Sequence, residues 1–548
     1  MLSHNSPLEA FLHWEKSTPN HVFLNQPING KIISYTFKQV GSEVRKIAEE
    51  LKQLNFPAKS HIALLSKNCA HWTMSDLAIM MAGHVSIPIY PTLNAESIQQ
   101  ILNHSDSKAI IVGKLDDFKT QEPGISEIPV FSVGLYGESK GKQWETIIKT
   151  NEGLIDDDVT LPERNDLHTI IYTSGTTGTP KGVMHTVDNF MISTDVLGPV
   201  TETEFGSKIF SYLPMAHIAE RLIETIAIRI GLEVFFPESL ETFAEDLVRA
   251  EPDTFFGVPR IYAKFQEKVL EKLPQQKLNT LFKIPILGKI IKKKIIKKMG
   301  LINAKVVVSG AAPLSISIMN WYQNLGITIR QIYGMTEDGC VSHFNLRGAN
   351  KVGTVGQTFK EAKIKISPEG ELLIKNDCLM KGYYKMPELT ASVFDDEGYF
   401  KTGDKGEYDH EGYLTITGRA KDEFKTDKGK YVSPAALELA LSKNTDIETI
   451  CVVGTGIPQP IALITLSEIG KQKAKEDLIS GFTDTMSSVN PNFEKHEKIE
   501  KIVIMSESWN PDNGLITPTL KVKRNAIEKL HQPFYKTWFE MTEKAIFE

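Results

Sequence analysis

With 548 residues, 41% of them apolar and 24% charged, the chain is too long for one ordinary domain and has the balance of a folded protein, not a disordered or collagenous one. At roughly 150 residues per domain, three or four units are expected. The 62 Lys and Arg against 68 Asp and Glu leave a formal charge of −6, so no overall positive field favours nucleic acid as a partner.

The opening MLSHNSPLEAFLHWEK lacks a basic start followed by an apolar stretch, so export is not expected. The 3.6-residue pattern of TFKQVGSEVRKIAEELKQL (Thr36 to Leu54) predicts a helix, and the β-branched run HIALLS (His61 to Ser66) predicts a strand. The most apolar window, Asp76 to Pro91, is broken by Gly83, His84, Ser86 and Pro88 before it could span a bilayer. Further strands are predicted at KAIIVG (Lys108 to Gly113), TIIYTS (Thr169 to Ser174), KVVVSG (Lys305 to Gly310) and ITIRQIYG (Ile327 to Gly334). Strands alternating with helices predict an α/β fold of helix-covered, largely parallel sheets. From about Glu371 the turns Asp396 to Gly398 and Asp409 to Gly412 predict antiparallel hairpins, and the charged stretch Gly418 to Lys430 predicts a domain boundary. Cys69, Cys340, Cys378 and Cys451 show no CxxC spacing, so neither a zinc site nor a disulfide framework is indicated, and a cytoplasmic location is expected.

One segment stands apart. PILGKIIKKKIIKKMG (Pro285 to Gly300) sets six lysines among isoleucines. Ile286, Leu287, Ile290, Ile291 and Ile295 do not fall into a narrow stripe on a helical wheel. The pattern fits a surface helix docked by its isoleucines, or a basic amphipathic helix touching an anionic membrane surface or an acidic partner.

The most informative stretch is IIYTSGTTGTPKGVMHT (Ile170 to Thr186), a strand running into Thr173, Ser174, Gly175, Thr176, Thr177, Gly178, Thr179 and Lys181. Unblocked backbone N–H groups, hydroxyl donors and one mobile cation together suit a polyphosphate. A Walker A loop would need Ser or Thr after the lysine, whereas Gly182 follows Lys181.

YTSGTTGTPKG resembles the signature of the adenylate-forming superfamily of acyl-CoA synthetases, adenylation domains and luciferases. Further motifs follow in that family's order: YLPMAHIAER (Tyr212 to Arg221), GVPRIY (Gly257 to Tyr262), SGAAPL (Ser309 to Leu314), QIYGMTED (Gln331 to Asp338), YFKTGD (Tyr399 to Asp404), GRAKDEFK (Gly418 to Lys425) and LITPTLKVKR (Leu515 to Arg524). The likeness runs from LLSKNCAHW (Leu64 to Trp72) to Arg524, and the TPTLK form, with Leu520 where many relatives have glycine, is similar to long-chain fatty acyl-CoA synthetases.

The resemblance implies a division of roles. Thr173 to Thr177 and Lys181 would hold the ATP phosphates, with Thr173 and Glu337 at Mg²⁺. Tyr333 would lie on the adenine, beside Gly334, and Thr336 at the α-phosphate; alone, Thr336 and Glu337 would read as a helix start. Asp404 and Arg419 would orient the ribose, although either could serve a structural ion pair. Gly310, Ala311 and Ala312 would form a backbone wall that is equally a tight turn before Pro313. His217 and Arg260 would face the acyl substrate, His217 alone reading as a structural residue. Lys521 would be the catalytic cation, with Lys523 its competitor. Lys421 would be the hinge. Lys425 would approach the phosphate in one orientation, and the segment Lys428 to Pro434 would build the thioester site in the other; each lysine alone reads as solvated surface.

The implied architecture is a large domain, 1–418, of helix-flanked sheets plus a barrel-like β region, and a small mobile α+β domain, 419–548. The implied activity is ATP-dependent ligation of a medium-to-long fatty acid to CoA through acyl-AMP. The alternatives are an acyl-AMP former that loads a carrier-protein phosphopantetheine, and a non-catalytic nucleotide binder.

Overall fold

The computed structural model describes residues 4–548 apart from 126, 139, 175–179, 511–512 and 518–520, with Ser174 described by its backbone alone. Among the described residues the strands form two large sheets, one four-stranded antiparallel sheet, one short hairpin and one mixed C-terminal sheet. The predicted strands are present as His61–Leu65, Ala109–Val112, Leu167–Ser174, Val306–Ser309 and Ile329–Tyr333, and the predicted helix as Phe37–Gln53. That helix starts at a capping box in which Thr36 and Gln39 satisfy each other's backbone N–H groups.

The helix Ala70–Met81 is buried along its whole length. It packs against Val22–Ile28 of one large sheet and against His61–Leu65 and Val85–Ile89 of the other, so it is a shared inner layer. A helix enclosed on all sides needs no polar face, which is why its sequence carries little amphipathic pattern. The first large sheet pairs Thr254–Gly257, Val306–Ser309 and Ile329–Tyr333 in parallel. The second ends in the antiparallel hairpin Leu167–Ser174 and Pro180–Thr186, with Gly382–Tyr383 added at its edge. The phosphate-type segment therefore falls in sequence between two antiparallel strands.

The antiparallel region begins at Lys363–Ile366, slightly before the expected start, and continues through Glu371–Lys375, Phe400–Tyr408 and Leu414–Arg419. The turn at Asp409 is a hairpin, with Asp409 Oδ1 accepting the N–H groups of Glu411 and Tyr413. The earlier turn, at Asp396, makes the same kind of loop on Asp395 but joins only the single bridge Phe394 to Phe400, because a helix, Pro387–Ser392, precedes it. From within the charged stretch onward, side chains between Phe424 and Phe547 pack into apolar clusters on both faces of the mixed C-terminal sheet, without side chains from before Phe424.

One buried charge cluster ties several of these layers together. Arg221, on the helix Ile218–Ile230, is fully enclosed and donates to Asp76 Oδ2 at 2.8 Å and to Glu224 Oε2 at 2.5 Å. Its guanidinium also donates to His168 Nε2 at 3.3 Å and lies 5.0 Å from the Trp72 ring centre. It therefore bolts the second sheet and the inner helix to the helix that carries PMAHIAER.

Candidate active site

The hairpin sets Thr173 across from Lys181 and Ser174 across from Pro180. The expected phosphate contacts Gly175, Thr176 and Thr177 lie outside the described residues. Lys181 Nζ stands 5.6 Å above the ring of Tyr383, whose hydroxyl donates to Glu337 Oε1 at 2.8 Å. Tyr383 thus joins the phosphate hairpin to the YGMTE turn, a link absent from the sequence reading. Its position comes from the pairing of Tyr383 with Val183 across the sheet edge, which local sequence does not encode.

The YGMTE turn is held from below. A Cβ on Gly334 would lie 2.5 Å from the Cys340 Cα, so only glycine fits where the chain doubles back. Asp338 Oδ1 accepts the N–H groups of Met335 and Cys340, both at 2.8 Å. Burial pushes the Asp338 carboxyl up to about 7 against the pull of those two donors. The Thr336 carbonyl accepts a hydrogen bond from His185 Nε2 at 2.7 Å, and burial holds His185 neutral, its value down at about 4. Asp338 stood within the motif without an assigned role, and nothing in the sequence marked His185. With the backbone so fixed, Thr336 and Glu337 line the cleft.

Asp404 and Arg419 face each other on adjacent antiparallel strands. Arg419 Nε donates to Asp404 Oδ1 at 2.8 Å and the Tyr333 hydroxyl to Asp404 Oδ2 at 2.7 Å. Burial and the Asp404 charge push the Tyr333 phenol up, so it remains a donor. Gly310 is a close-approach position, since a Cβ there would meet Ile332 Cγ2 at 2.7 Å. Ala311 follows in the left-handed region with φ of +67°, an uncommon conformation for a residue with a Cβ, and Ala311 and Ala312 form part of the cleft wall.

Lys521 enters the same cleft from the C-terminal region. Two hydrogen bonds join its backbone to Thr517: the Thr517 N–H donates to the Lys521 carbonyl at 2.7 Å and the Lys521 N–H to Thr517 Oγ1 at 3.0 Å. Burial and nearby Arg419 pull the Lys521 ammonium below the ordinary lysine value, while Asp404, Cys340 and Glu337 oppose them. Lys523 also borders the cleft and caps the start of the helix Arg524–His531, its N–H donating to the Leu515 carbonyl at 2.8 Å.

The remaining expected residues divide. His217 lines the cleft and also caps the helix Ile218–Ile230, its Nδ1 accepting the Ala219 N–H at 3.2 Å. Burial and Lys521 push it down to about 3, so it is neutral. Arg260 borders the cleft, but its guanidinium pairs with Glu448 of the C-terminal sheet and thereby ties the two regions together. Lys421 lies exposed on the turn after Leu414–Arg419, at the cleft edge. Lys425 is not gathered with the others. It sits exposed on the hairpin Phe424–Lys425 and Tyr431–Val432, its Nζ 5.6 Å over the Tyr431 ring, because that hairpin turns it outward.

The cleft has a volume of about 1860 Å³, well beyond the needs of a nucleotide alone. One arm is apolar: of its lining, Val200, Phe256 and Val308 belong to one apolar cluster, and a second that shares Ile332 with it holds Leu197, Ile218, Leu222 and Ile226. The last three follow one another at four-residue spacing on a single helical face, about 12 Å from first to last at 1.5 Å per residue.

The sequence profile of the AMP-binding enzymes matches residues 11–384, and that of the AMP-binding enzyme C-terminal domain matches residues 422–537. The chain belongs to the AMP-binding enzyme family. It is 27% identical to the long-chain-fatty-acid–CoA ligase FadD15 of Mycobacterium bovis, over 96% of this chain and 95% of that one. It is 28% identical to the long-chain-fatty-acid–CoA ligase 5 of Mus musculus, over 95% and 86% respectively. Among solved structures, the adenylation domain of a carboxylate reductase from Mycobacterium chelonae superposes with a TM-score of 0.81 at 19% identity, covering 98% of this chain and 91% of that one. The anthranilate CoA ligase AuaEII superposes with a TM-score of 0.79 at 20% identity, covering 97% and 98%. These likenesses establish a shared fold.

For an AMP-binding enzyme, the donor set fits Mg²⁺ arriving with ATP. Among the described residues no group of three or more His, Cys, Asp or Glu is placed to cage a metal. Glu337 is oriented by Tyr383 on one oxygen and lines the cleft with the Thr173 hydroxyl. Mg²⁺ keeps several waters and needs only one or two protein carboxylates besides substrate phosphates.

Proposed function

We propose that this AMP-binding enzyme is an acid–thiol ligase that joins a medium-to-long-chain fatty acid to CoA through an acyl-AMP intermediate. The observation that carries the reading is the apolar arm bordered by Ile218, Leu222 and Ile226 in one cleft with Thr336, Glu337 and Lys521. A carboxylate placed between that arm and Lys521 would attack the α-phosphorus of ATP, forming the acyl–phosphate bond as the bond to pyrophosphate breaks. Lys521 would neutralise the carboxylate and the phosphate oxygens as they meet, Thr336 would donate to the α-phosphate, and Asp404 with Arg419 would orient the ribose. Mg²⁺ on Glu337 and Thr173 would balance charge on the departing pyrophosphate. In the second half-reaction the CoA thiolate would attack the acyl carbonyl and expel AMP.

The deciding assay is pyrophosphate release with ATP and acids from acetate to oleate, with and without CoA, followed by mass detection of thioester. CoA-dependent turnover that rises with chain length is expected. Adenylate without acyl-CoA would move the acceptor to a carrier-protein thiol, and silence on every fatty acid would reject the acyl reading. The arm itself is tested by Ile226→Trp, which should shorten it by about three methylenes. At about 0.8 kcal/mol for each, kcat/KM for palmitate should fall roughly fifty-fold while octanoate changes by less than about threefold.

We also propose the two-domain division 1–418 and 419–548, with Lys421 as hinge. It is supported by apolar clusters that begin afresh at Phe424 and by an exposed turn at Lys421. Lys421→Pro removes the freedom to change φ and should slow thioester formation about tenfold more than adenylation. Equal loss of both half-reactions would reject the hinge.

A further inference from the structure

The helix Pro285–Lys298 divides its isoleucines between two environments. At 100° per residue, Ile291, Ile295 and Met299 share one side, which packs into the apolar cluster beneath the cleft region. The opposite side carries Ile286 and Ile290 in its first half and Lys293 and Lys297 in its second, flanked by Lys289 and Lys294. Ile286 is 77% exposed, Ile290 58%, Ile284 45% and Leu287 40%, so four large apolar side chains stand in solvent at the N-terminal end of one short helix. This accounts for the missing stripe: the segment has two apolar sides with different occupants.

The charge around this tip has one sign. From Lys272 to Gly300 there are nine lysines and no aspartate or glutamate, in a chain whose net charge is −6. Among the described residues none of the nine forms an ion pair, and Lys292 lies 4.9 Å over the Phe282 ring. A basic collar around protruding isoleucines matches an interface that is apolar beneath and anionic on top. Two copies of the patch would repel each other, which argues against self-association. The apolar side chains stand exposed at a helix end, as insertion among lipid chains requires. At 14 residues the helix is about 21 Å long, too short to cross a bilayer, and no helix among the described residues is long and apolar enough to do so.

We infer that the face formed by Ile284, Ile286, Leu287, Ile290 and the lysines beside them docks on the surface of an anionic lipid bilayer. The helix lies in the interface plane, its N-terminal tip inserts among the acyl chains, and Lys289, Lys293, Lys294 and Lys297 meet the phosphate layer. The inference does not rest on the identity of the acid that the enzyme activates.

The test is co-sedimentation of the full-length protein with vesicles of phosphatidylcholine alone or with one third phosphatidylglycerol, at low and high salt. Binding to the anionic vesicles only, weakened by salt, is expected. The charge reversal Lys293→Glu/Lys294→Glu/Lys297→Glu and the polar pair Ile286→Ser/Ile290→Ser should each lower bound protein at least tenfold, with the denaturation midpoint unchanged as proof that each variant folds. Ile286→Trp should shift its emission to the blue on anionic vesicles and be quenched by brominated lipid chains. Equal binding to neutral vesicles, no vesicle binding, as an acidic protein partner would give, or binding that survives both sets of substitutions would each overturn the inference. None of these readouts requires ligase activity, so failure of the acyl assay and failure of membrane docking are separable.

Discussion

Lys521→Ala should lower ATP–pyrophosphate exchange by about 10²–10³-fold, the usual consequence of removing one preorganised group from the charge that develops in a transition state. Thioester formation from preformed acyl-AMP should survive to within about threefold, because the first half-reaction alone brings carboxylate and phosphate oxygens together. Equal loss of both steps would assign Lys521 a structural role; a larger loss in Lys523→Ala would transfer the catalytic role to Lys523. The pH dependence has a definite sign. In its proposed role Lys521 acts as a cation, and burial beside Arg419 lowers its value in the folded protein. The kcat/KM for ATP, which reports the free enzyme, should therefore decline on the alkaline side below the ordinary lysine value of about 10.4. In Lys521→Arg the guanidinium stays charged, and that limb should disappear even if the rate is lower.

The second large effect concerns stability. Arg221→Ala leaves Asp76 and Glu224 facing each other, buried, without their cation. Removing one partner of a buried charge cluster costs about 3–5 kcal/mol, visible as a lower urea midpoint for the region containing Trp72. A change below about 1 kcal/mol would mean that the cluster has relaxed or neutralised itself. Burial pushes Glu224 up against the opposing pull of Arg221, so the carboxyl can take a proton in the variant; acid should then narrow the difference between variant and parent. In the parent, His168 makes stability fall with acid. Its value is pushed down to about 3 by burial first and by Arg221 second, so the unfolded chain binds a proton there that the folded chain refuses. The stability that His168 contributes is complete above its unfolded value of about 6.5 and is lost as pH falls, by about 2 kcal/mol at pH 5.

The site was legible where chemistry is local. Asp404 and Arg419 were assigned together from KTGD and TGR, and two paired strands bring them together. Lys521 was preferred to Lys523, and it is the lysine whose electrostatic neighbours are Arg419, Asp404 and Glu337. Tyr383 and His185 escaped because their value lies in what they touch, Glu337 and the Thr336 carbonyl, across strand pairings and packing that no local pattern records. Lys425, expected near the phosphate in one orientation of the C-terminal region, lies here over Tyr431 on a two-residue hairpin strand. Arg260 read as a substrate residue and pairs with Glu448, which only the arrangement of the C-terminal region could supply.

By itself the sequence determined the α/β class, the strands at His61–Leu65, Val306–Ser309 and Ile329–Tyr333, and the motif order that places the chain among the AMP-binding enzymes. Periodicity, turn chemistry and a loop rich in hydroxyls and glycine are properties of neighbouring residues, so they survive in one dimension. The tertiary structure alone decided that the Thr173 strand, the YGMTE turn, the Asp404–Arg419 pair and Lys521 share one cleft, that Ile218, Leu222 and Ile226 face its apolar arm, and that Ile286 and Ile290 face outward. Those outcomes depend on sheet order, strand register and the packing of one helix face against another, which arise only when distant segments meet.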